Sequence, residues 1–420
     1  MNLKNHILDF YKMKGLSVIF SAIVEKIAGF LLVLISTHFL TKETYGLVVY
    51  ANTSLVFLFP FIGFGIHQSL LRFGSLEKSQ KAKKELFSYT FKKGVFYSFL
   101  FIFLVVVLSP LITSNLKDSK IYLIILSIQL VSLFMYEMIR IYSRLIHLNN
   151  LYSQITIVNS IAIVFVSYFF TFNFNAIGYV VSLSLVPFLV SLFYLIKLKL
   201  IISRNDNFSE IDLNEILKYG FFTSLAGLLS QLLYAVDILL IANMIVDKQE
   251  IAQYKISNII PFSILFLSVA VIKTNFVKIV SKSEKNKNYI KSYYINYLKV
   301  FGIVSLVILI LIPLFSNQLL AIFGRDYIND DHLISIFTFG VVGAILLRIP
   351  LGNIISAIGW AKINVFNSLL ILFLNIILSY VFIKEYGLIG AALVTSFLMW
   401  LSGGFSLVTF IWFLKQDTDK

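Results

Sequence analysis

The sequence predicts an all-α integral membrane protein with about twelve transmembrane helices, and three observations lead to this fold class. Hydrophobic residues make up 59% of the 420 positions and charged residues 13%, whereas a typical soluble domain carries about 25% charged residues. The apolar runs are continuous, as in FLFIFLVVVL at Phe99–Leu108, which favours helices over alternating strands. Finally, the runs approach the length of about 20 residues that crosses a bilayer.

Twelve segments have this length and composition. They comprise residues 16–40, 46–70, 94–114, 120–141, 153–172, 176–197, 217–245, 251–272, 297–317, 332–352, 363–383 and 388–413. Polar stretches at 77–85 and 281–291 are predicted to be cytoplasmic loops. The outer loops are all short, so no external catalytic domain is expected.

The distribution of lysine and arginine predicts the orientation. With the N-terminus in the cytoplasm, 27 of the 35 Lys and Arg residues fall on the inner side and 6 on the outer side, while Lys26 and Lys255 lie within helices. Cytoplasmic loops carry such an excess of positive charge. We therefore expect an even number of spans with both termini cytoplasmic, and we assign the net charge of +14 to a membrane face and not to nucleic acid.

The chain contains an internal repeat. Arg140–Ile161 and Arg348–Leu369 align without gaps at an offset of 208, and both begin with Arg-Ile and carry Asn-Ser near the end. Further collinear matches at offsets from 201 to 212 pair Pro60 with Pro261, Pro110 with Pro313, and Asn175 with Gly387. Because each copy holds an even number of spans, the copies run parallel and are related by a pseudo-two-fold axis along the membrane normal.

This repeat predicts two six-helix lobes. The N-terminal lobe covers residues 1–200, a polar cytoplasmic linker covers 201–216, and the C-terminal lobe covers 217–420. Parallel halves of this kind build transporters with a central site between them.

Four charged residues within the spans are candidates for function, since intramembrane charges are costly and tend to face cavities or partners. Lys26 and Glu25 are candidates to line a substrate lumen, where Lys26 would bind an anion; the alternative is that they pair with neighbouring helices or that Lys26 snorkels. Asp237 is a candidate for proton or cation coupling, or the counter-ion of Lys26 or Lys255. Lys255 is a substrate-binding candidate, with interfacial snorkelling as the alternative.

Arg140 and Arg348 occupy matching positions in the two copies. A pair of guanidinium groups at the cytoplasmic mouth would suit a phosphate, which arginine binds in a bidentate manner. Two alternatives stay open: both residues are cytoplasmic anchors, or Arg140 pairs with Glu137 one turn earlier.

Enzyme motifs are absent from the sequence. It has no P-loop, no HExxH and no nucleophile elbow, each of which carries a specific chemistry. We therefore expect a protein that is not an enzyme and that holds no cofactor. Without a nucleotide site, active transport would use a Na⁺ or H⁺ gradient or the membrane potential.

Four stretches resemble polysaccharide exporters of the Wzx type, which belong to the multidrug/oligosaccharidyl-lipid/polysaccharide (MOP) exporter superfamily. They are LTKETYGLVVY (Leu40–Tyr50), GFGIHQSLLRFGS (Gly63–Ser75), VDILLIANMIVDKQEIAQY (Val236–Tyr254) and YGLIGAALVTSF (Tyr386–Phe397). The resemblance extends over nearly the whole chain.

The resemblance implies a flippase that moves an undecaprenyl-pyrophosphate-linked oligosaccharide, such as an O-antigen or capsule unit, across the bacterial cytoplasmic membrane by alternating access. It also implies contact with membrane lipids, a polysaccharide polymerase and a chain-length regulator. In the related lipid II flippases, cationic residues of helices one, two and eight line the cavity. Here Lys26 and Lys255 fall on the first and eighth segments, whereas the second has only Arg72 at its cytoplasmic end.

Two other functions stay open. A drug or small-molecule cation antiporter of the same superfamily would use Asp237 and Glu25 as cation sites. A membrane polymerase or acyltransferase would be favoured by a large outer loop or by clustered intramembrane His and Arg, and the sequence has neither.

Overall fold

The computed structural model describes residues 15–77, 79–200, 213–245, 247–283 and 287–416, and within these ranges the chain forms helices and no β-strand. The α-helices are α1 (Gly15–Phe39), α2 (Lys42–Val56), α3 (Ile66–Leu76), α4 (Gln80–Ile112), α5 (Lys120–Ser127), α6 (Gln129–Leu145), α7 (Asn149–Lys197), α8 (Leu213–Met244), α9 (Lys248–Ser283), α10 (Lys287–Leu314), α11 (Ser316–Ala321), α12 (Asp331–Gly343), α13 (Ile349–Ala357) and α14 (Ala361–Lys415). The predicted all-α fold is confirmed.

Each of the twelve predicted segments falls on helical structure. Seven helical stretches in the described ranges are long and apolar enough to cross a membrane, and eight if the bent pair α2–α3 is one span. The count is below twelve for two reasons. The helices α8 and α9 are not among the seven, and α7 and α14 contain 49 and 55 residues, each more than twice the length of about 20 residues that one span needs.

The two longest helices break at equivalent positions of the repeat. The backbone at Asn175 has φ 52° and ψ −138°, and at Gly387 it has φ 55° and ψ −134°. Three residues later, Gly178 and Gly390 each approach a backbone carbonyl so closely that a Cβ would lie 2.0 Å from its oxygen. The two copies therefore share the same backbone geometry at the break, although the residue is Asn in one copy and Gly in the other.

Side-chain contacts show that the chain reverses at both breaks. In α7, the hydroxyl oxygens of Ser167 and Ser182 lie 2.5 Å apart, although 15 residues of straight helix would separate them by about 22 Å. In α14, Asn367 Nδ2 donates to Ser402 O at 3.1 Å. Each of these helices is thus an antiparallel hairpin that holds two predicted segments, which is consistent with twelve spans.

The reversal in α7 leads to a stability prediction. Because non-glycine residues are strained at a positive φ of this kind, we expect Asn175→Gly to stabilise the protein by about 1 kcal/mol. Its melting temperature, followed by fluorescence in detergent, should rise. Asn173→Gly is the matched control, since Asn173 lies inside the regular helix and glycine there should lower the melting temperature. Equal decreases for both variants would contradict the prediction.

The second predicted segment is not one continuous helix. A break at Phe59–Gly65 separates α2 from α3 and bends the pair by 44°. The repeat pairs Pro60 with Pro261, yet Pro261 lies inside the continuous helix α9. The difference follows from the residues after the proline: Gly65 adopts φ 73°, whereas the paired position in the second copy is Phe266, for which positive φ is unfavourable.

Both predicted cytoplasmic loops are largely helical. The helix α4 begins at Gln80, well before the apolar run predicted from residue 94, and α9 continues to Ser283 before α10 begins at Lys287. Most of 77–85 and 281–291 is therefore helical and not irregular loop, and the cytoplasmic position of both stretches stays a prediction. Hydropathy marks where the apolar run ends, whereas Lys, Gln and Glu are good helix formers that extend the helix beyond it.

The chain separates into two compact units, 1–231 and 232–420. The boundary falls inside α8, because the first part of this helix packs on the first unit: Ser69 Oγ donates to Ile216 O at 2.7 Å and Ser224 Oγ donates to Pro60 O at 2.6 Å. Residues 201–212 of the predicted linker lie outside the described residues. The predicted lobe boundaries stay a prediction.

Candidate functional site

Asp237 is buried in the second unit and is surrounded by hydroxyl and amide groups. It lies on α8 with 3% of its surface exposed. The hydroxyls of Tyr254 on α9 and Thr395 on α14 donate to Asp237 Oδ2 at 2.9 Å and 2.5 Å. The Ser379 hydroxyl lies 3.3 Å from Asp237 Oδ1 and 2.7 Å from Asn375 Oδ1. These five residues form the Asp237 cluster.

The chemistry of the Asp237 cluster suits a proton or a small cation. In the part of the chain that the structure describes, no Lys, Arg or His lies within 4.0 Å of the carboxylate. A buried carboxylate without a counter-charge is costly, so such a group takes up a proton or binds a cation. The oxygens of Asn375, Ser379 and Thr395 are hard ligands of the type that alkali and alkaline-earth cations prefer.

Asp237 alone of this cluster was predicted as a site residue, because it interrupts an apolar run. Tyr254, Asn375, Ser379 and Thr395 were not among the predicted site residues. One signal was present: Asn375 and Ser379 are four residues apart and therefore share a helix face.

A second polar group lies in the first unit and is centred on Arg140, of which 9% is exposed. Its Nη1 lies 2.8 Å from Glu137 Oε1 on the same helix and 3.6 Å from Glu25 Oε1 on α1. Its Nη2 donates to the Tyr152 hydroxyl, and the guanidinium carbon lies 5.0 Å from the ring centre of Tyr136. We call these five residues the Arg140 cluster.

The Arg140 cluster brings together two predicted site residues, Glu25 and Arg140, and includes the predicted pair of Arg140 with Glu137. Lys26, next to Glu25, is exposed. Within the described ranges, no carboxylate lies within 4.0 Å of the Lys26 ammonium.

The two remaining site candidates lie in the second unit. Lys255 is half-buried on α9, and no ion pair within 4.0 Å joins it to Asp237. Arg348 is also half-buried and ends a π-helical turn, Ala344–Arg348. The matching Arg140 lies instead in the regular α-helix α6. The roles of these residues in binding stay predictions.

Two tyrosines support the π-helical turn before Arg348. Tyr297 OH donates to Ile345 O at 2.9 Å, and Tyr294 OH donates to Leu346 O at 3.2 Å. These hydroxyls satisfy carbonyl groups in the turn, where the regular pattern of helix hydrogen bonds is interrupted.

Comparison with known proteins identifies the family. Residues 13–272, which are more than half of the chain, match the family described as polysaccharide biosynthesis protein. The chain belongs to this family. One relative is the capsular polysaccharide biosynthesis protein CapF of Staphylococcus aureus, which is 32% identical over 109 residues. The match spans 26% of this chain and 26% of CapF.

Solved structures show that this family member has the fold of known transporters. Lipid II flippase MurJ in an inward closed conformation superposes with a TM-score of 0.72 at 17% identity, over 94% of this chain and 86% of that chain. A multidrug resistance MATE family transporter of the MOP superfamily, in an inward-facing conformation, superposes with a TM-score of 0.67 at 16% identity, over 94% and 96%.

The family and the fold confirm the resemblance to Wzx-type members of the MOP superfamily. The long apolar helices make this family member a multi-pass membrane protein. At identities of 17% and 16% the structural likeness concerns the fold alone.

Proposed function

We propose that this chain is a flippase for an undecaprenyl-pyrophosphate-linked oligosaccharide, the repeat unit of an O-antigen, a capsule or a similar polymer. It would act by alternating access in the bacterial cytoplasmic membrane, with both termini in the cytoplasm. The observation that carries the proposal is the match of residues 13–272 to a polysaccharide biosynthesis family in a chain with the fold of a lipid II flippase.

The charge distribution supports this orientation and substrate. The excess of Lys and Arg on one side of the spans is typical of cytoplasmic loops and would attract a phosphate-bearing lipid from the cytoplasmic leaflet. Lys26, Lys255, Arg140 and Arg348 are the proposed ligands of the anionic group. A polysaccharide polymerase and a chain-length regulator are the proposed protein partners, because an exported repeat unit must be polymerised.

The Asp237 cluster is the proposed ion-coupling site. A chain without a nucleotide site needs an ion gradient or the membrane potential to drive transport, and intramembrane carboxylates commonly serve as ion or proton relays. The hydroxyl and amide oxygens around Asp237 support Na⁺ or H⁺ as the coupling ion.

A transport assay tests the proposal. The purified protein is reconstituted into proteoliposomes with a fluorescent polyprenyl-pyrophosphate oligosaccharide, and dithionite added outside reports the label that reaches the outer leaflet. We expect protein-dependent growth of the quenchable fraction. Empty liposomes and a polyprenyl monophosphate without glycan are the controls. A quenchable fraction equal to that of empty liposomes would contradict the proposed function.

The alternative function, a drug or cation antiporter, is favoured by the MATE-like fold and by the uncompensated Asp237. The same proteoliposomes, loaded with ethidium and given a Na⁺ or H⁺ gradient, test it. Gradient-driven ethidium movement without movement of the lipid-linked glycan would support the antiporter.

A further inference from the structure

We propose that the Arg140 cluster, together with Arg144, is a binding site for the diphosphate group of a lipid-linked substrate, and that Glu25 is a resident counter-ion which this group displaces. The inference rests on the proposed function and deepens it, since it assigns the headgroup to particular residues of the first unit. Four features of the cluster lead to it.

First, the two carboxylates around Arg140 are not equivalent. Glu137 is three residues away on the same helix, with 2.8 Å between Oε1 and Nη1, so it accompanies Arg140 in any movement of α6. Glu25 comes from α1, its oxygen lies 3.6 Å from Nη1, and 46% of its side chain is exposed. A distance of 3.6 Å is beyond hydrogen-bond length, so Glu25 contributes ionic attraction and can leave.

Second, Arg140 has an unused donor. Its Nε–H is buried and has no hydrogen-bond partner, although nine-tenths of the residue is removed from solvent. Buried donors are nearly always paired. A phosphate oxygen is the acceptor that a guanidinium with a free N–H binds best, because its planar fork matches the geometry of phosphate.

Third, a second guanidinium lies next to the first. The guanidinium carbon of Arg140 lies 4.8 Å from the centre of the Tyr152 ring, and that of Arg144 lies 5.9 Å from the same centre. Cation–π contact at these distances holds both groups against one ring. Arg144 is exposed, and it is one helical turn from Arg140, so two phosphoryl groups in series can each meet one arginine.

Fourth, the buried Arg140 keeps an anionic partner before and after the exchange. Glu137, Arg140 and Arg144 carry a net charge of +1, and Glu25 brings the group to neutrality. When the diphosphate replaces Glu25, a buried arginine exchanges one anionic ligand for another and is never left without compensation, which would be costly.

The second copy of the repeat lacks these features. At the offset of 208, Glu137 is paired with Ile345 and Arg144 with Gly352. Arg348 is therefore the single charged residue that the second copy retains from this set. The pair of arginines with an exchangeable carboxylate therefore occurs in the first copy, whereas Arg348 of the second copy is a proposed ligand without these partners.

Binding measurements on the full chain in nanodiscs test the inference. Farnesyl diphosphate serves as the probe, with farnesyl monophosphate and inorganic pyrophosphate as comparisons, and the Kd is measured by isothermal titration calorimetry. We expect Glu25→Gln to tighten farnesyl diphosphate binding by about tenfold, because a competing charged ligand is removed. We expect Arg144→Gln to weaken it by about tenfold, because one charge-assisted contact is lost.

Both substitutions are at exposed positions, so folding is expected to be retained. Glu85→Gln is the matched control: its side chain is 51% exposed and lies 4.0 Å from Lys81, and its Kd should equal that of the wild type. An unchanged or weaker affinity in Glu25→Gln would overturn the inference, as would equal affinity for inorganic pyrophosphate, which would identify a site for free anions.

The outcome is independent of the transport assay. If Glu25→Gln and Arg144→Gln leave the Kd unchanged while the protein still moves the lipid-linked glycan, the diphosphate site is wrong and the proposed function stands. If the Kd values change as expected and no glycan moves, the site stands and the proposed function fails.

Discussion

Replacing Asp237 by asparagine is expected to reduce transport of the lipid-linked oligosaccharide by about tenfold or more, the size of a typical coupling free energy between two ligands. Asparagine has nearly the same shape and still accepts hydrogen bonds from Tyr254 and Thr395, but it has no charge. The substitution thus removes the proton- or cation-binding capacity of the Asp237 cluster and preserves its packing. The dithionite assay in proteoliposomes measures the effect.

The same substitution should make the protein more stable to heat. An uncompensated carboxylate with 3% of its surface exposed is destabilising, and its neutral isostere is not. If Na⁺ is the coupling ion, added Na⁺ should raise the melting temperature of the wild type and not that of Asp237→Asn, by mass action on the folded state. Asp118→Asn, at an exposed aspartate, is the control. Undiminished transport by Asp237→Asn would exclude this residue from coupling.

The second large effect is expected at the break between α2 and α3. In Gly65→Ala, the new Cβ would lie 2.2 Å from Gly220 O and 2.3 Å from Ser224 Oγ, and φ is 73°. The first of these atoms belongs to a helix backbone and cannot move aside cheaply. We expect a loss of about 2–4 kcal/mol in the free energy of unfolding from backbone strain and overpacking.

Thermal unfolding in detergent and the yield of membrane-inserted protein measure this loss. Gly302→Ala is the matched control, because Gly302 lies within α10 and a Cβ added there would meet no other atom within 4 Å. Alanine at this position should be neutral or stabilising. A Gly65→Ala protein as stable as the wild type would mean that the α2–α3 break is free to rearrange.

Much of the fold follows from local sequence. The spans were predictable because a helix that crosses the bilayer needs about 20 apolar residues, whichever other helices it packs against. The repeat also paired Asn175 with Gly387, the two positions at which the chain reverses direction. The break at Phe59–Gly65 was not predictable from Pro60, since Pro261 in the second copy is tolerated in a continuous helix. Whether the helix breaks after the proline depends on Gly65 and its close approach to Gly220, which comes much later in the chain.

The candidate sites were also predictable only in part. Asp237 was predictable because a charge within an apolar run is costly and rarely accidental, and the pairing of Glu137 with Arg140 because it lies within one helical turn. The partners that come from other helices were not predictable from the sequence. Thr395 reaches Asp237 across 158 positions, and hydroxyl residues are too frequent in membrane helices for one of them to stand out.

The tight reversals at Asn175 and Gly387 have a consequence for how the protein enters the membrane. A single residue with non-helical backbone separates the two arms of each hairpin, so the insertion machinery carries only a short turn across the bilayer between them. This turn is uncharged around Asn175 and carries Lys384 and Glu385 next to Gly387. The two arms would then partition into lipid together, as one pre-paired unit. Biogenesis of each half of the chain would end with such a step, and a charge placed at the Asn175 turn, where residues 170–180 carry none, would delay it.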